Sequence, residues 1–299
     1  MSANYKLVCE DPKVEEEINQ FAEKVNLHDL VSTIITHMAI YGDAFVEIIY
    51  NVAKDRVVDL DFIDPKRMDY AKNANGKIVL DENSNPVGYV QTLAYDTKPK
   101  YQQKPPEGVS LKTNQIFFKP EQIAHFKLYE VGDGFYGIGL IEPNYKTATI
   151  KLNVQEGFGQ STYRVGFPLT VVKVGTENYR PTPQQIQNAI AKLKNINYES
   201  IISIPWYYDI SILESKKAEK LREHLDYFVD TEVAGLGFPS ALVTGSGEKT
   251  NRAVLLIQTQ MLERSLKLVQ HKVAKVFDNK IFPIMAKLHN WAKQPRFDW

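Results

Sequence analysis

Three groups of residues in this sequence are of types that could do chemistry. Gly245-Ser246-Gly247-Glu248-Lys249-Thr250 has the composition of a phosphate-cradling loop. Such loops need Gly-Lys-Ser/Thr in unbroken succession, so that backbone N–H groups wrap the phosphate while the lysine reaches it. Here Glu248 separates Gly247 from Lys249, and a carboxylate at that point repels phosphate. Nucleotide binding is therefore not expected. The stretch reads as a mobile polar loop in which Lys249 and Arg252 offer phosphates a transient partner. Asp59, Asp61 and Asp64 form the second group, a carboxylate cluster of the kind that holds metal ions in nucleases. Asp59 and Asp61 share a face if the stretch is a strand. No further acidic-plus-lysine constellation follows, however, and alternation in VVDLDFI is what any half-exposed strand produces. Asp43 and Glu47 read as a turn residue and a strand-face charge. The third group is the histidines: His28, His37, His125, His224, His271 and His289 show no metal-ligand spacing. His125 is expected in a strand with its hydrogen bonds satisfied, and His224 near Asp226 is a surface pair at best. No catalytic residue, metal or cofactor is expected.

Composition narrows the field further. The chain has 299 residues, 43% of them hydrophobic, enough for one large or two modest cores. Lys+Arg 36 against Asp+Glu 36 leaves no global excess of positive charge, which a tight nucleic-acid binder usually carries. A protein that surrounds DNA without gripping it is not excluded. Cys9 is the single cysteine, so no intrachain disulfide can form, which suits a reducing compartment. No signal peptide or membrane span is read in the sequence.

The elements that would position these groups follow from periodicity. Val14, Ile18, Phe21 and Val25, then Leu27, Leu30, Val31, Ile34 and Met38, recur at three- and four-residue spacing and predict helix over 12–40. Asn26 is placed to cap the second segment through its side chain, with Asp29 as an acceptor in the first turn. Strands are predicted at Tyr41–Tyr50 (after a turn), Val57–Ile63, Lys77–Leu80, Val87–Ala94, Gln115–Phe118 and Ile123–Lys127. Turns are predicted at Asp64–Met68, at Asn75-Gly76, a hairpin signal because both residues accept positive φ, and at Asp81–Pro86. A polar, Pro-rich loop covers Tyr95 to Lys112.

One long helix is then expected from Pro143 to Val165, roughly 35 Å in length, stopped by Gly166-Phe167-Pro168. Its pattern is odd. Ala148, Ile150, Leu152, Val154, Phe158 and Val165 make no clean stripe, and Gly157 and Gly159 each cost about 1 kcal/mol against alanine in an exposed helix. It is either an ordinary surface helix or one packed against copies of itself beside a wet channel. A small α/β insertion follows. It has strands at Leu169–Val174, Ile201–Ile204 and Asp209–Leu213, and a helix over Gln184–Lys194 opened by Thr182 as N-cap and Pro183. A second helix covers Lys216–Leu236, and its basic run with interspersed glutamates reads as a solvated face. The last segment runs from Arg252 to His289, roughly 57 Å if unbroken. Pro283 should interrupt it near Asn279, because the proline ring clashes with the carbonyl four residues back.

The stretches YGDAFVEI (Tyr41–Ile48), DPKRM (Asp64–Met68), IAHFK (Ile123–Lys127), YGIGLIEP (Tyr136–Pro143) and YFVDTEVAGLGFPSALVTG (Tyr227–Gly245), in this order of elements, resemble the portal (head–tail connector) proteins of tailed bacteriophages. The resemblance implies an α+β portal fold with a β-rich wing over 1–140 and a first stem helix over 141–167. It implies a small α/β clip over 168–214, a second stem helix over 215–236, a tunnel loop over 237–251 and a very long wing helix over 252–299. Members of that family usually continue into a C-terminal helical crown, which on this resemblance is expected to be absent, truncated or unseen here, and the chain is short for the family.

The same resemblance implies a non-enzymatic ring, expected as a dodecamer, at a capsid vertex of the virion, assembled in the host cytoplasm. Double-stranded DNA would pass through it in packaging and ejection. Implied partners are the terminase large subunit, a head–tail adaptor and the major capsid or scaffold protein, with no membrane. Ser246, Lys249, Thr250, Asn251 and Arg252 would face DNA in the tunnel loop. Lys151, Gln155, Lys216 and Lys220 would line the stem channel. Tyr179, Arg180, Gln184, Gln187, Trp206 and Tyr207 would meet partners on the clip, although Tyr179, Trp206, Tyr207 and Tyr208 serve equally as the core of a small subdomain. The rival readings are a DNA-processing enzyme, nuclease or NTPase, and a virion adaptor or scaffold that never touches DNA.

Overall fold

The computed structural model describes residues 5–93, 103–132, 134–166, 169–175, 178–194, 208–213, 218–238, 243 and 252–299. They divide into two compact units, Met1–Tyr145 with Glu232–Trp299, and Lys146–Thr231.

The first unit opens with strand β1 (Lys6–Val8) and helices α1 (Pro12–Lys24) and α2 (Leu27–Tyr41). Asp11 caps α1 by accepting from the Lys13 N–H at 3.0 Å, and Pro12 takes the first position, whose N–H has no partner in any helix. Asn26 does not cap α2 as its type suggests. It sits in the left-handed region at φ 47°, and its side chain makes no capping bond. Its amide instead reaches the Asp29 carboxylate, while its own carbonyl accepts from the Asp29 and Leu30 N–H groups. In this position the backbone closes the turn by itself, and the side chain bonds the first-turn carboxylate rather than a free N–H.

Strands β2 (Asp43–Tyr50), β3 (Val57–Ile63) and β7 (Ile123–Lys127) form an antiparallel sheet in the order β3-β2-β7. Strands β4 (Met68–Tyr70), β5 (Tyr89–Thr92) and β6 (Gln115–Phe118) form another, in the order β4-β5-β6. β2 is buried on both faces, which is why it reads as a continuous apolar run rather than an alternation. Ala44, Val46 and Ile48 join Val31, Ile34 and Met38 of α2 and the C-terminal helices in the main core. Phe45 points the other way, into a second cluster with Ile63, Met68, Tyr89 and Phe118. The predicted strand Lys77–Leu80 is reduced to single bridges, Lys72 with Ile78 and Leu80 with Pro86. It is too short between two tight turns, and Pro86 has no N–H for a ladder. The turn before it is closed by the Asn73 side chain, which accepts from the Asn75 and Lys77 N–H groups. Of the Asn75-Gly76 pair only Gly76 has positive φ, at 78°.

Strands β8 (Tyr129–Glu130) and β9 (Gly137–Ile138) lead to helix α3 (Tyr145–Gly166), entered through a single 3₁₀ turn at Glu142–Asn144. Past α3, β10 (Leu169–Val174) pairs antiparallel with β11 (Tyr208–Leu213), and α4 (Pro183–Lys194) lies between them in the chain. The expected strand Ile201–Ile204 lies outside the described residues. Helix α5 (Ala218–Gly235) follows. Gly235 is required where it stands, because a Cβ there would lie 1.9 Å from the Asn144 amide oxygen.

The long C-terminal helix runs Arg252–Val276 and passes through a π turn at Phe277–Ile281 into a last helix, Phe282–His289. The interruption falls where Pro283 demands it. With no N–H at position 283 and a ring pressing on the preceding turn, the Phe282 N–H bonds the Phe277 carbonyl five residues back. The chain then adds a strand the sequence did not announce, β12 (Arg296–Asp298), which pairs with β1 and joins the two ends of the unit. Phe277 is its anchor: its ring stacks on Phe297 at 4.9 Å and also meets Phe126 and Phe282. Glu17 of α1 adds a polar tie, 2.8 Å from His289 Nδ1 and 2.9 Å from the Trp291 indole N–H.

Phe277→Ala should therefore lower the unfolding free energy of this unit by about 3–5 kcal/mol, the usual cost of emptying a fully buried phenylalanine site. Urea unfolding followed by tryptophan fluorescence measures it, since Trp291 and Trp299 pack against the same core.

Candidate functional site

The densest polar construction among the described residues lies where four of the sequence stretches singled out above converge. The backbone of Tyr41-Gly42-Asp43 runs against that of Gly137-Ile138-Gly139. A Cβ on Gly137 would sit 2.1 Å from the Gly42 carbonyl oxygen, and one on Gly42 would sit 2.3 Å from the Gly137 carbonyl oxygen. Both positions are therefore glycine for steric reasons. Gly42 also takes φ 84° to end α2, a conformation open to glycine at little cost.

Asp43 locks this contact. Read from sequence as a turn residue, it is instead the first residue of β2 and nearly buried, at 8% exposure. Its Oδ1 accepts from the Gly137 N–H at 2.7 Å and from His125 Nε2 at 2.7 Å. His125, on β7, is buried in turn; its strand position and satisfied bonding are as expected. Its Nδ1 lies 3.0 Å from the Tyr70 hydroxyl and 3.4 Å from that of Tyr89, and Tyr70 also donates to the Phe135 carbonyl at 2.8 Å. Burial favours the neutral ring, which then carries its proton on Nε2 for Asp43; Tyr70 has a single hydroxyl proton, so where it donates to Phe135 the donor left for Nδ1 is Tyr89. Burial holds its pKa below the ordinary value, with Asp43 opposing and Lys127 and Lys280 assisting. Burial likewise raises Tyr70 and Tyr136 and pushes Tyr89 up to about 12.

A cavity of about 430 Å³ opens beside this cluster, lined by Tyr41, Asp43, Lys66, Met68, Asp69 and Tyr136 among others. Tyr136 donates to the Asp69 carboxylate, and Lys66 stands 5.5 Å from the centre of the Tyr41 ring. Asp43, His125 and Tyr70 at the centre are paired within the protein. The cluster positions backbone: it holds the turn from which the chain runs into α3.

The sequence-predicted site residues lie elsewhere. Ser246, Lys249, Thr250, Asn251, Lys216, Trp206 and Tyr207 fall outside the described residues. Arg252 opens the long helix and Lys220 lies in the first turn of α5. Lys151 and Gln155 are one turn apart on α3, half-buried and exposed respectively. Tyr179, Arg180, Gln184 and Gln187 are all exposed, before and along the start of α4. Sequence reasoning missed the residue that ties Tyr179 to the start of α4, Gln185. Its amide oxygen accepts from the Thr182 N–H at 2.9 Å and its amide nitrogen donates to the Tyr179 hydroxyl at 2.8 Å. The signal was available: a glutamine three residues after a threonine N-cap completes a capping box. Asp59 and Asp61 point to solvent from β3, and Asp64 caps the Pro65–Arg67 turn through the Lys66 N–H. No cluster of three or more histidine, cysteine, aspartate or glutamate side chains suited to a metal occurs among the described residues. No described helix is long and apolar enough to cross a membrane.

The fold is shared with chains of gene transfer agent particles. The neck of the empty particle matches at TM-score 0.67 and 14% identity, covering 99% of this chain and 76% of that chain. The neck of the native particle matches at TM-score 0.61 and 14% identity, with the same coverage. A chain of the native virion matches at TM-score 0.56 and 13% identity, again over 99% and 76%. No curated protein sequence matches. The sequence matches the family model for the portal protein of Mu bacteriophage across residues 1–299, and the chain belongs to that portal family.

The buried histidine gives the cluster a pH signature. Folded His125 holds its proton less tightly than an exposed imidazole, whose pKa is about 6.5. The unfolded chain therefore binds more protons there, and stability rises with pH across that interval. Its contribution is complete above about pH 6.5 and is lost as pH falls through the lower folded value. Urea midpoints taken from pH 7.5 down to pH 5 should fall, and His125→Gln, which can still donate to Asp43, should flatten that slope.

Proposed function

We propose that this portal protein works as one stave of a closed ring that conducts double-stranded DNA, with the residues after β9 as its stem and clip. The observation carrying this reading is the exposure, among the described residues, of apolar and small residues along two helices. On α3, Tyr145 is 69% and Leu152 62% exposed, and a Cβ built on Gly157 or Gly159 meets nothing within 4 Å. On the long C-terminal helix, Val254, Leu256, Ile257, Met261 and Leu268 are exposed as well. Apolar surface on this scale is normally covered by a partner. A head-to-tail contact between identical chains closes into a ring when its rotation divides the circle.

Related necks support the same reading, since those of the gene transfer agent particles were computed with C6 and C12 symmetry. A dodecamer at a capsid vertex fits these relatives. Balanced charge suits a conduit that must let DNA slide, with Lys249 and Arg252 as transient phosphate contacts and Lys151, Gln155, Lys216 and Lys220 along the stem. The exposed Tyr179, Arg180, Gln184 and Gln187 offer a docking face for the terminase and, later, head-completion proteins. No catalytic step is assigned to the chain.

Electron microscopy of the purified protein should show rings with a central hole, and a strictly monomeric species at high concentration would overturn the proposal. Gly157→Ala separates the ring from a plain surface helix. In an isolated chain it should stabilise α3 by about 1 kcal/mol. In a ring whose neighbours approach that backbone it should reduce the fraction of closed particles.

A further inference from the structure

A second cavity, about 210 Å³, lies under the end of the long C-terminal helix and against the edge strand β7. Lys127 of β7 and Lys272, Lys275 and Lys280 of the helix and its π turn all line it. Glu130 is the carboxylate among its lining residues, and the neutral His125 forms part of its wall. Lys272, Lys275 and Lys280 make no ion pair among the described residues, and Lys127 donates to the Gly134 carbonyl.

The backbone brings these lysines together. In an unbroken α-helix, positions 275 and 280 are five residues apart and diverge by about 140° at 3.6 residues per turn. The π turn at Phe277–Ile281 holds about one residue more per turn and rotates Lys280 back towards Lys275 and Lys272. Lys280 is half-buried there. Burial pulls its amine down to about 8, with Glu121 opposing and Lys127 assisting. Four cations facing one small space repel one another, and an anion among them adds an attraction to each that offsets that repulsion.

We propose that this cavity is an oxyanion site that takes a phosphate group, with Lys280 as its inner contact and Lys127, Lys272 and Lys275 as its rim. Inorganic phosphate and a phosphodiester of the DNA backbone present the same chemistry to it. The proposal does not rest on the ring reading, because binding is measured on the full chain whatever its assembly.

Calorimetric titration of the full chain at low ionic strength, with sodium phosphate and separately with a short DNA duplex, tests it. Phosphate binding should weaken at least tenfold in Lys280→Met and recover largely in Lys280→Arg, and added phosphate should raise the Lys280 amine pKa, read by NMR. Phosphate that binds without displacing or being displaced by the duplex supports a free-anion site. A duplex displaced by phosphate in the wild type, and lost in Lys280→Met, supports a DNA-backbone site. Should Lys280→Met fail to fold, the Lys272→Gln, Lys275→Gln double variant on the helix surface carries the same comparison. Unchanged affinity in the folded variants, or no binding of either probe by the wild type, overturns the proposal.

Discussion

A single buried carboxylate organises this portal protein. Asp43 receives two donors on one oxygen, the Gly137 N–H and His125 Nε2, each at 2.7 Å. A carboxylate taken out of water costs several kcal/mol unless it is well bonded, so these donors are obligatory. Meeting them requires the Gly42 and Gly137 backbones to touch, which is possible only without side chains at either position. It also requires His125 to be oriented by the tyrosines of the neighbouring sheet. One acid thus fixes the end of α2, the start of β2, the centre of β7 and the turn that leads to α3.

That clamp explains a contrast in texture along the chain. The β-rich part is packed on both faces of β2, and its core continues through Phe277 to the strand pair that joins β1 and β12. The helices α3 and Arg252–Val276 carry exposed apolar residues that a monomer would bury. A packed β-rich core alongside helices with exposed apolar residues suits a subunit whose remaining contacts come from identical neighbours.

Much of this was legible in the sequence, and what was not failed for identifiable reasons. Gln115–Phe118, Ile123–Lys127, Val57–Ile63 and Leu169–Val174 were read as strands and are strands with those bounds, because β-branched and aromatic residues there sit between unambiguous turns. Pro283 located its own helix break, since the missing N–H acts locally. Asp43 was misread because burial of a charge depends on partners 82 and 94 residues away, which no local window contains. Asn26 and the Lys77–Leu80 stretch show propensity overridden by backbone geometry. β12 was missed because a three-residue strand has no period to detect and exists only through β1. Four of the five quoted family stretches, in contrast, meet at the clamp or line the cavity beside it, so the resemblance pointed to the structural centre. Of the tunnel-loop residues it implied only Arg252 is described, and the residue that holds Tyr179 is Gln185.

Native-state hydrogen exchange at the Gly137 amide tests the clamp most directly. If Asp43 holds that N–H as the centre of the first unit, the amide should exchange only through global unfolding of that unit, with a protection free energy equal to that of the core strand β2. Asp43→Asn should lower both together. Rapid exchange of the Gly137 amide from an otherwise protected native state would contradict the account.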